Sequence, residues 1–163
     1  MASGDSLLVW NAYNNEPPAS NYATIDLRNN HPCLDFDAST NESAIFSGVM
    51  PQSYDGGGVD VYLHYAMSSA TSGDVDLDAA FERIGDQAQD IDSDSFASAQ
   101  SVDNTTVPGT SGLVDIVSIA FTDGAQIDSV AKGEKFRLKV TRDAASDTAA
   151  GDLELVAVEI RET

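Results

Sequence analysis

One cysteine, one tryptophan, two histidines and three lysines occur in 163 residues, and each scarcity closes off a class of function. With Cys33 alone there is no internal disulfide framework and no multi-cysteine metal site. Ser-His-Asp or Cys-His catalysis would have to use His31 or His64, and no local motif marks either. No apolar run approaches the length a membrane helix needs. The opening "MASGDSLLVWNAYNN" lacks a basic n-region, and its apolar stretch is only Leu7 to Trp10, so it reads as no signal peptide. These absences predict a soluble chain made in a cytoplasm where thiols stay reduced, with no membrane partner.

Positive charge is scarce as well. Eight Lys+Arg against 27 Asp+Glu leave a formal charge of −19. Such a surface repels phosphate backbones, so nucleic acid is not an expected partner without a local basic patch. Six of the eight cations fall in the last 32 residues, and Lys135, Arg137 and Lys139 line one strand face. Two readings fit that strip. One is cross-strand pairing with acidic neighbours such as Glu154; the other is a cationic surface that docks on an acidic partner.

What the sequence has in abundance is period-2 alternation, the mark of half-buried strands. In "GGVDVYLHYAM", Val59, Val61, Leu63, Tyr65 and Met67 share one face. Val75, Leu77, Ala79 and Phe81 do so in "DVDLDAAFERI", and Phe136, Leu138 and Val140 in "KFRLKVTR". Further strands are predicted at "LLVWNAY", "YATIDLR", "CLDF", "SAIFSGVM", "LVDIVSIAFT" and "LELVAVEIR". In the last, Val156, Val158 and Ile160 run out of phase with Leu153 and Leu155, which predicts a bulge or a strand covered on both faces. "DAAFERIGDQAQ" is the best helical candidate, and the alternation before it argues against a long helix.

Eight or nine strands separated by Gly-, Ser- and Asp-rich turns predict an all-β fold: an antiparallel β-sandwich, jelly-roll-like, with an N-terminal arm. Residues 1–20 read as that arm or an edge strand with a proline-containing linker, and residues 21–163 as the sandwich.

Motifs that carry chemistry fail their tests. Gly56-Gly57-Gly58 is not followed by Lys-Ser/Thr or by a helix, and "GTSG" lacks the spacing of a nucleophile elbow. In "DQAQDIDSDS", Asp90, Asp92 and Asp94 alternate like calcium ligands. An EF-hand counted from Asp90 then needs Gly and Glu where Ser95 and Ser101 stand. His31 and Cys33 would share a strand face as half a metal site, with no second pair to complete it. Tyr54, Tyr62 and Tyr65 could form a sugar-binding platform, although Tyr65 alternates with the core. No cofactor, metal or catalytic residue is expected.

Three segments, Asn14 to Asp37 ("NNEPPASNYATIDLRNNHPCLDFD"), Ser43 to Met67 ("SAIFSGVMPQSYDGGGVDVYLHYAM") and Gly109 to Asp143 ("GTSGLVDIVSIAFTDGAQIDSVAKGEKFRLKVTRD"), together resemble a family of small structural proteins of tailed bacteriophages. The resemblance implies a capsid decoration, or cement, protein on the outer surface of a virion. Its partners would be the major capsid protein and two further copies of itself in a homotrimer. In that reading Leu7, Leu8, Val9 and Trp10 form an apolar arm that reaches a neighbour, and Lys135, Arg137 and Lys139 form a second contact. The alternative is a receptor- or carbohydrate-binding β-sandwich module of a phage tail or fibre.

Overall fold

A computed structural model describes residues 3–163. Ten strands form two antiparallel sheets: β1 (Ser6–Asn11), β2 (Thr24–Arg28), β3 (His31–Phe36), β4 (Glu42–Val49), β5 (Val59–Met67), β6 (Asp74–Ile84), β7 (Gln100–Thr106), β8 (Asp115–Phe121), β9 (Lys135–Arg142) and β10 (Leu153–Glu162). One sheet runs β2-β3-β10-β5-β8, with β1 beside β10; the other runs β4-β9-β6-β7. The only helical pieces among the described residues are two short 3₁₀ turns, Ala12–Asn14 and Ala125–Ile127. No helix among them is long and apolar enough to cross a membrane.

The alternating residues do what their period demands. Val59, Val61, Leu63, Tyr65 and Met67 of β5, and Phe136, Leu138 and Val140 of β9, all point into the space between the sheets and are buried. Phe81 packs edge-on to Phe121 at 4.9 Å and tilted against Phe136 at 5.5 Å, so aromatic contacts join both sheets at the centre of the core.

β10 carries the predicted irregularity. Leu155 pairs with Tyr65 and Ala157 with His64, so Val156 is an extra residue opposite β5. The bulge resets the phase, which is why Leu153 and Leu155 point inward before it and Val158 and Ile160 point inward after it. The same strand changes neighbours on its other edge, pairing with β3 over Leu153–Leu155 and with β1 from Ala157 on.

β2 and β3 are joined by Asn29-Asn30, both at positive φ (46° and 65°), the conformation of a primed two-residue hairpin turn. Pro32 in β3 breaks no ladder on the β10 side, because β10 reaches only Leu34, Asp35 and Phe36.

Two elements correct the expectations. Of the two readings of the N-terminal stretch, the structure shows the edge strand and not the arm. Leu8 to Asn11 pair with β10, Leu7 and Trp10 are buried, and the Trp10 ring stacks on Phe46 at 5.7 Å and meets Phe136 edge-on at 6.1 Å. Its indole N–H donates to the Ser47 carbonyl at 3.1 Å. The Trp10 indole is thus seated in this chain's own core rather than offered to a neighbour's groove. Of the four residues named for that role, only Val9 is largely exposed.

The other is β7, in a stretch that is not among the predicted strands. "QSVDNTT" offers one large apolar residue, Val102, so it shows no alternation. It is an edge strand held to β6 by side chains: Ser101 Oγ donates to Asp78 at 2.6 Å and Thr106 Oγ1 to Asp74 at 2.8 Å. A bulge at Asn104, with φ of 53°, lets its backbone N–H reach Asp76 at 2.6 Å.

Candidate functional site

The outward face of the β4-β9-β6-β7 sheet is a lattice whose rows are fixed by strand register. Ser43, Thr141, Asp78 and Ser101 face one another across four strands. The next row is Ile45, Lys139 and Ala80; then Ser47, Arg137 and Glu82; then Val49, Lys135 and Ile84. The first row is linked by hydrogen bonds, Ser43 to Thr141 at 2.7 Å and Ser101 to Asp78 at 2.6 Å.

Two walls rise from this floor. On the β4 edge, residues 15–23 run alongside as an irregular extra strand: the Glu16 N–H donates to the Ile45 carbonyl at 2.7 Å, Ser43 N–H to the Asn21 carbonyl at 2.8 Å, and Ala23 N–H to the Ser43 carbonyl at 3.1 Å. Pro17 and Pro18 cannot donate, which suits a segment that stands away from the sheet between those bonds. On the other side, residues 85–99 fold back, anchored where the Ala97 N–H donates to the Phe81 carbonyl at 2.8 Å.

That second wall presents Phe96. Its ring lies 5.0 Å from the Arg137 guanidinium and 4.8 Å from the Lys139 ammonium. On one side of it a groove of about 400 Å³ is lined by Pro18, Asn21, Ser43, Asp78, Lys139 and Thr141, among others. On the other a depression of about 300 Å³ is lined by Glu16, Ser47, Glu82, Ile91, Lys135 and Arg137. The face therefore offers two adjoining concavities with a half-buried aromatic ring between them.

The cations on this face differ in their partners. Arg137 is paired with Glu82 directly across the strands, and that bond, with Glu16 and Asp94 nearby, raises its pKa further above the ordinary arginine value. Lys139 has no carboxylate opposite it, since its cross-strand neighbours are Ile45 and Ala80. Among the described residues its ammonium makes no ion pair, and its one named neighbour is the Phe96 ring. Glu154, the expected partner of the strip, lies on the other sheet with Arg28. The cross-strand reading thus holds for Arg137, with Glu82 in place of Glu154, and not for Lys139 or Lys135.

No protein-family model matches this sequence, and no curated protein matches it. Solved structures do. A family 35 carbohydrate-binding module from an environmental isolate superposes with a TM-score of 0.52 at 11% identity, covering 96% of this chain and 94% of its own. The CBM22-1 xylan-binding domain of Paenibacillus barcinonensis Xyn10C gives a TM-score of 0.51 at 13% identity, covering 99% and 96%. The fold is a jelly-roll-like β-sandwich. At these identities the likeness is one of fold alone.

The tyrosines expected as a platform do not converge. Tyr65 is a core residue, its hydroxyl donating to Asp115 at 3.0 Å. Tyr54 is buried, its hydroxyl donating to the Gly57 carbonyl, and burial beside Asp123 and Glu162 pushes its pKa up to about 12. Only Tyr62 reaches a surface, on the outer face of the other sheet, where the Arg161 guanidinium stacks 4.0 Å from its ring centre. Asp78, Asn21 and Thr141, which line the groove, and Phe96, whose ring sits over Arg137 and Lys139 beside it, carry no motif in the sequence. The one available signal was an isolated aromatic in the polar stretch "DSDSFASAQ".

His31 and Cys33 do share a site, a cavity of about 400 Å³ on the opposite sheet that also includes Arg28, Glu154, Val114 and Val156. Its charged pair is engaged within the protein. Arg28 donates to Glu154 and to the Met67 carbonyl at 2.9 Å, and burial pushes the Cys33 thiol up to about 11, so it stays protonated. The aspartate run is a turn in which Asp90 is the cap: its carboxylate accepts the Asp92 N–H at 3.1 Å and its carbonyl accepts those of Ser93 and Asp94.

Proposed function

We propose that this chain is a non-catalytic carbohydrate-binding module that holds a segment of a glycan along the outer face of the β4-β9-β6-β7 sheet. The observation that carries the reading is the pair of adjoining concavities with Phe96 between them, floored by hydroxyls, carboxylates and an unpaired ammonium. Sugar recognition needs that mixture: directional donors and acceptors for hydroxyl groups, and an aromatic surface for the apolar C–H face of the ring. The superposed structures support it, since both are described as carbohydrate- or xylan-binding domains. The groove holds no His or Cys, and its one carboxylate already accepts a bond from Ser101, an arrangement suited to binding rather than bond cleavage.

The test is direct binding of the purified chain to soluble and insoluble polysaccharides, by affinity electrophoresis and titration calorimetry. Saturable binding that falls on Phe96→Ala supports the reading. Glycan silence together with saturable binding to expanded phage capsids would move the function to the decoration role implied by the sequence resemblance.

A further inference from the structure

Asp78 and Lys139 are diagonal neighbours on the sheet face. Asp78 is opposite Thr141 on β9, and Lys139 lies two residues before Thr141 on the same outward phase. Diagonal positions of this kind are about 7–8 Å apart. Both side chains line the same groove. One oxygen of Asp78 is taken by Ser101; the other carries no protein partner. Lys139 presents three N–H donors, and none is bonded to protein among the described residues.

Among the described residues the two make no ion pair with each other, and each is half-buried in a concave site. Both are left open to a group that donates to one and accepts from the other, with about 2.8 Å for each hydrogen bond. Two hydroxyls on adjacent carbons of a sugar ring do both. Ser43 and Thr141 add hydroxyls beside the pair, and Asn21 adds an amide.

Charge sets the class of sugar. Asp78 and Lys139 are the only ionised side chains lining this groove, so its local charge cancels. A carboxylated or sulfated glycan would find one cation, would meet the Asp78 carboxylate beside it, and would approach a molecule of charge −19. Screening at physiological salt acts over about 8 Å, too long to hide Asp78 from a ligand touching Lys139. We infer that Asp78 and Lys139 together read adjacent hydroxyls of an uncharged sugar residue, making this groove selective for neutral over acidic polysaccharides. The inference rests on the carbohydrate-binding reading of the same face.

The experiment uses the intact chain against two panels: neutral oligosaccharides of glucose, mannose, xylose and galactose, and acidic polygalacturonate, alginate and heparin. Wild-type protein is expected to bind a neutral member with an affinity that changes less than twofold between 50 and 500 mM salt. Asp78→Asn keeps an acceptor for Ser101, and Lys139→Met keeps the stem against Phe96. Each is expected to weaken binding about tenfold or more with an unchanged melting temperature, and the double variant to lose less than the product of the two. Binding confined to the acidic panel, or neutral binding that both variants leave intact, would overturn this assignment while leaving the module reading in place. Failure to bind either panel would overturn both.

Discussion

Arg142 and Asp147 form an ion pair closed to solvent, with Nε donating to Oδ2 at 2.7 Å and side chains 0% and 2% exposed. Arg142 shares the inward phase of Phe136, Leu138 and Val140, so its guanidinium emerges at the end of the core. There it also donates to the carbonyls of Phe36 at 3.2 Å, Gly151 at 2.9 Å and Ala149 at 3.1 Å. One side chain thereby fastens the 143–152 connection to β3.

Breaking such a pair strands a charge in low dielectric, at a cost of about 3–5 kcal/mol. Arg142→Met keeps much of the volume and leaves Asp147 buried alone, so it is expected to show the full loss in urea unfolding, with the slope unchanged. Adding Asp147→Leu removes the stranded charge and is expected to recover part of the loss. A single-variant loss under about 1 kcal/mol would mean the connection is held by other contacts.

Trp10 separates a core strand from an arm. Replacing it with Ala removes the rings' contacts with Phe46 and Phe136 and is expected to cost about 3–5 kcal/mol, read as a lower midpoint in denaturant. A strand that served only to reach another molecule would leave the isolated chain's midpoint where it was.

Nine of the ten strands were legible: β2, open to solvent along its length, still alternates Ile25 and Leu27 with polar residues, and the others have a face in the core that imposes period 2 on its own residues. The β10 bulge was legible for the same reason, as a phase jump between Leu155 and Val158. β7 was not, because Ser101, Asn104 and Thr106 hold an edge by side-chain hydrogen bonds that leave no apolar imprint. Of the candidate site only the cationic row of Arg137 and Lys139 was legible, as one face of β9. Asp78 and Thr141 are outward residues of otherwise ordinary alternating strands, and only non-local register sets Asp78 beside that row. Arg142 was the hardest to place: a charged residue on an inward phase looks like the end of a strand until its carbonyl partners, seven to 106 residues away, are known.

Asp35 gives the fold a pH dependence of unusual sign. It faces Glu154 across β3 and β10, with Asp152, Asp26 and Glu42 nearby and Arg28 engaged by Glu154; Oδ1 is buried without a partner. Burial, then these like charges, push its pKa from 3.8 up to about 6. The native state therefore binds a proton that the unfolded chain releases, and this contribution to stability, full below pH 3.8, is lost as pH rises through about 6. Asp35→Asn should be more stable than wild type above pH 6 by roughly 1–2 kcal/mol, allowing for solvent screening, with the difference vanishing near pH 4. Parallel denaturation of the two proteins from pH 4 to 8 measures it; a constant offset would remove Asp35 from the account.

Phe96 links the stability of the site to its use. Its ring is held by two cations, yet it remains partly open to solvent, whereas Phe36, Phe46, Phe81, Phe121 and Phe136 are all buried in the core. A core aromatic would be expected to cost several kcal/mol on truncation; a surface ring over two long flexible side chains contributes about 0.5–1 kcal/mol per cation. Phe96→Ala is therefore expected to change the melting temperature by only a few degrees. Binding is another matter, because the ring is the one aromatic surface between the two concavities, and aromatic anchors dominate small interfaces. Loss of at least tenfold in glycan affinity, about 1.4 kcal/mol, is expected, with Phe96→Trp restoring or raising it. If Phe96→Ala melts far below wild type and binds as well, the ring is a structural plug for Ala80 and the floor beneath it, and the glycan lies elsewhere on the sheet.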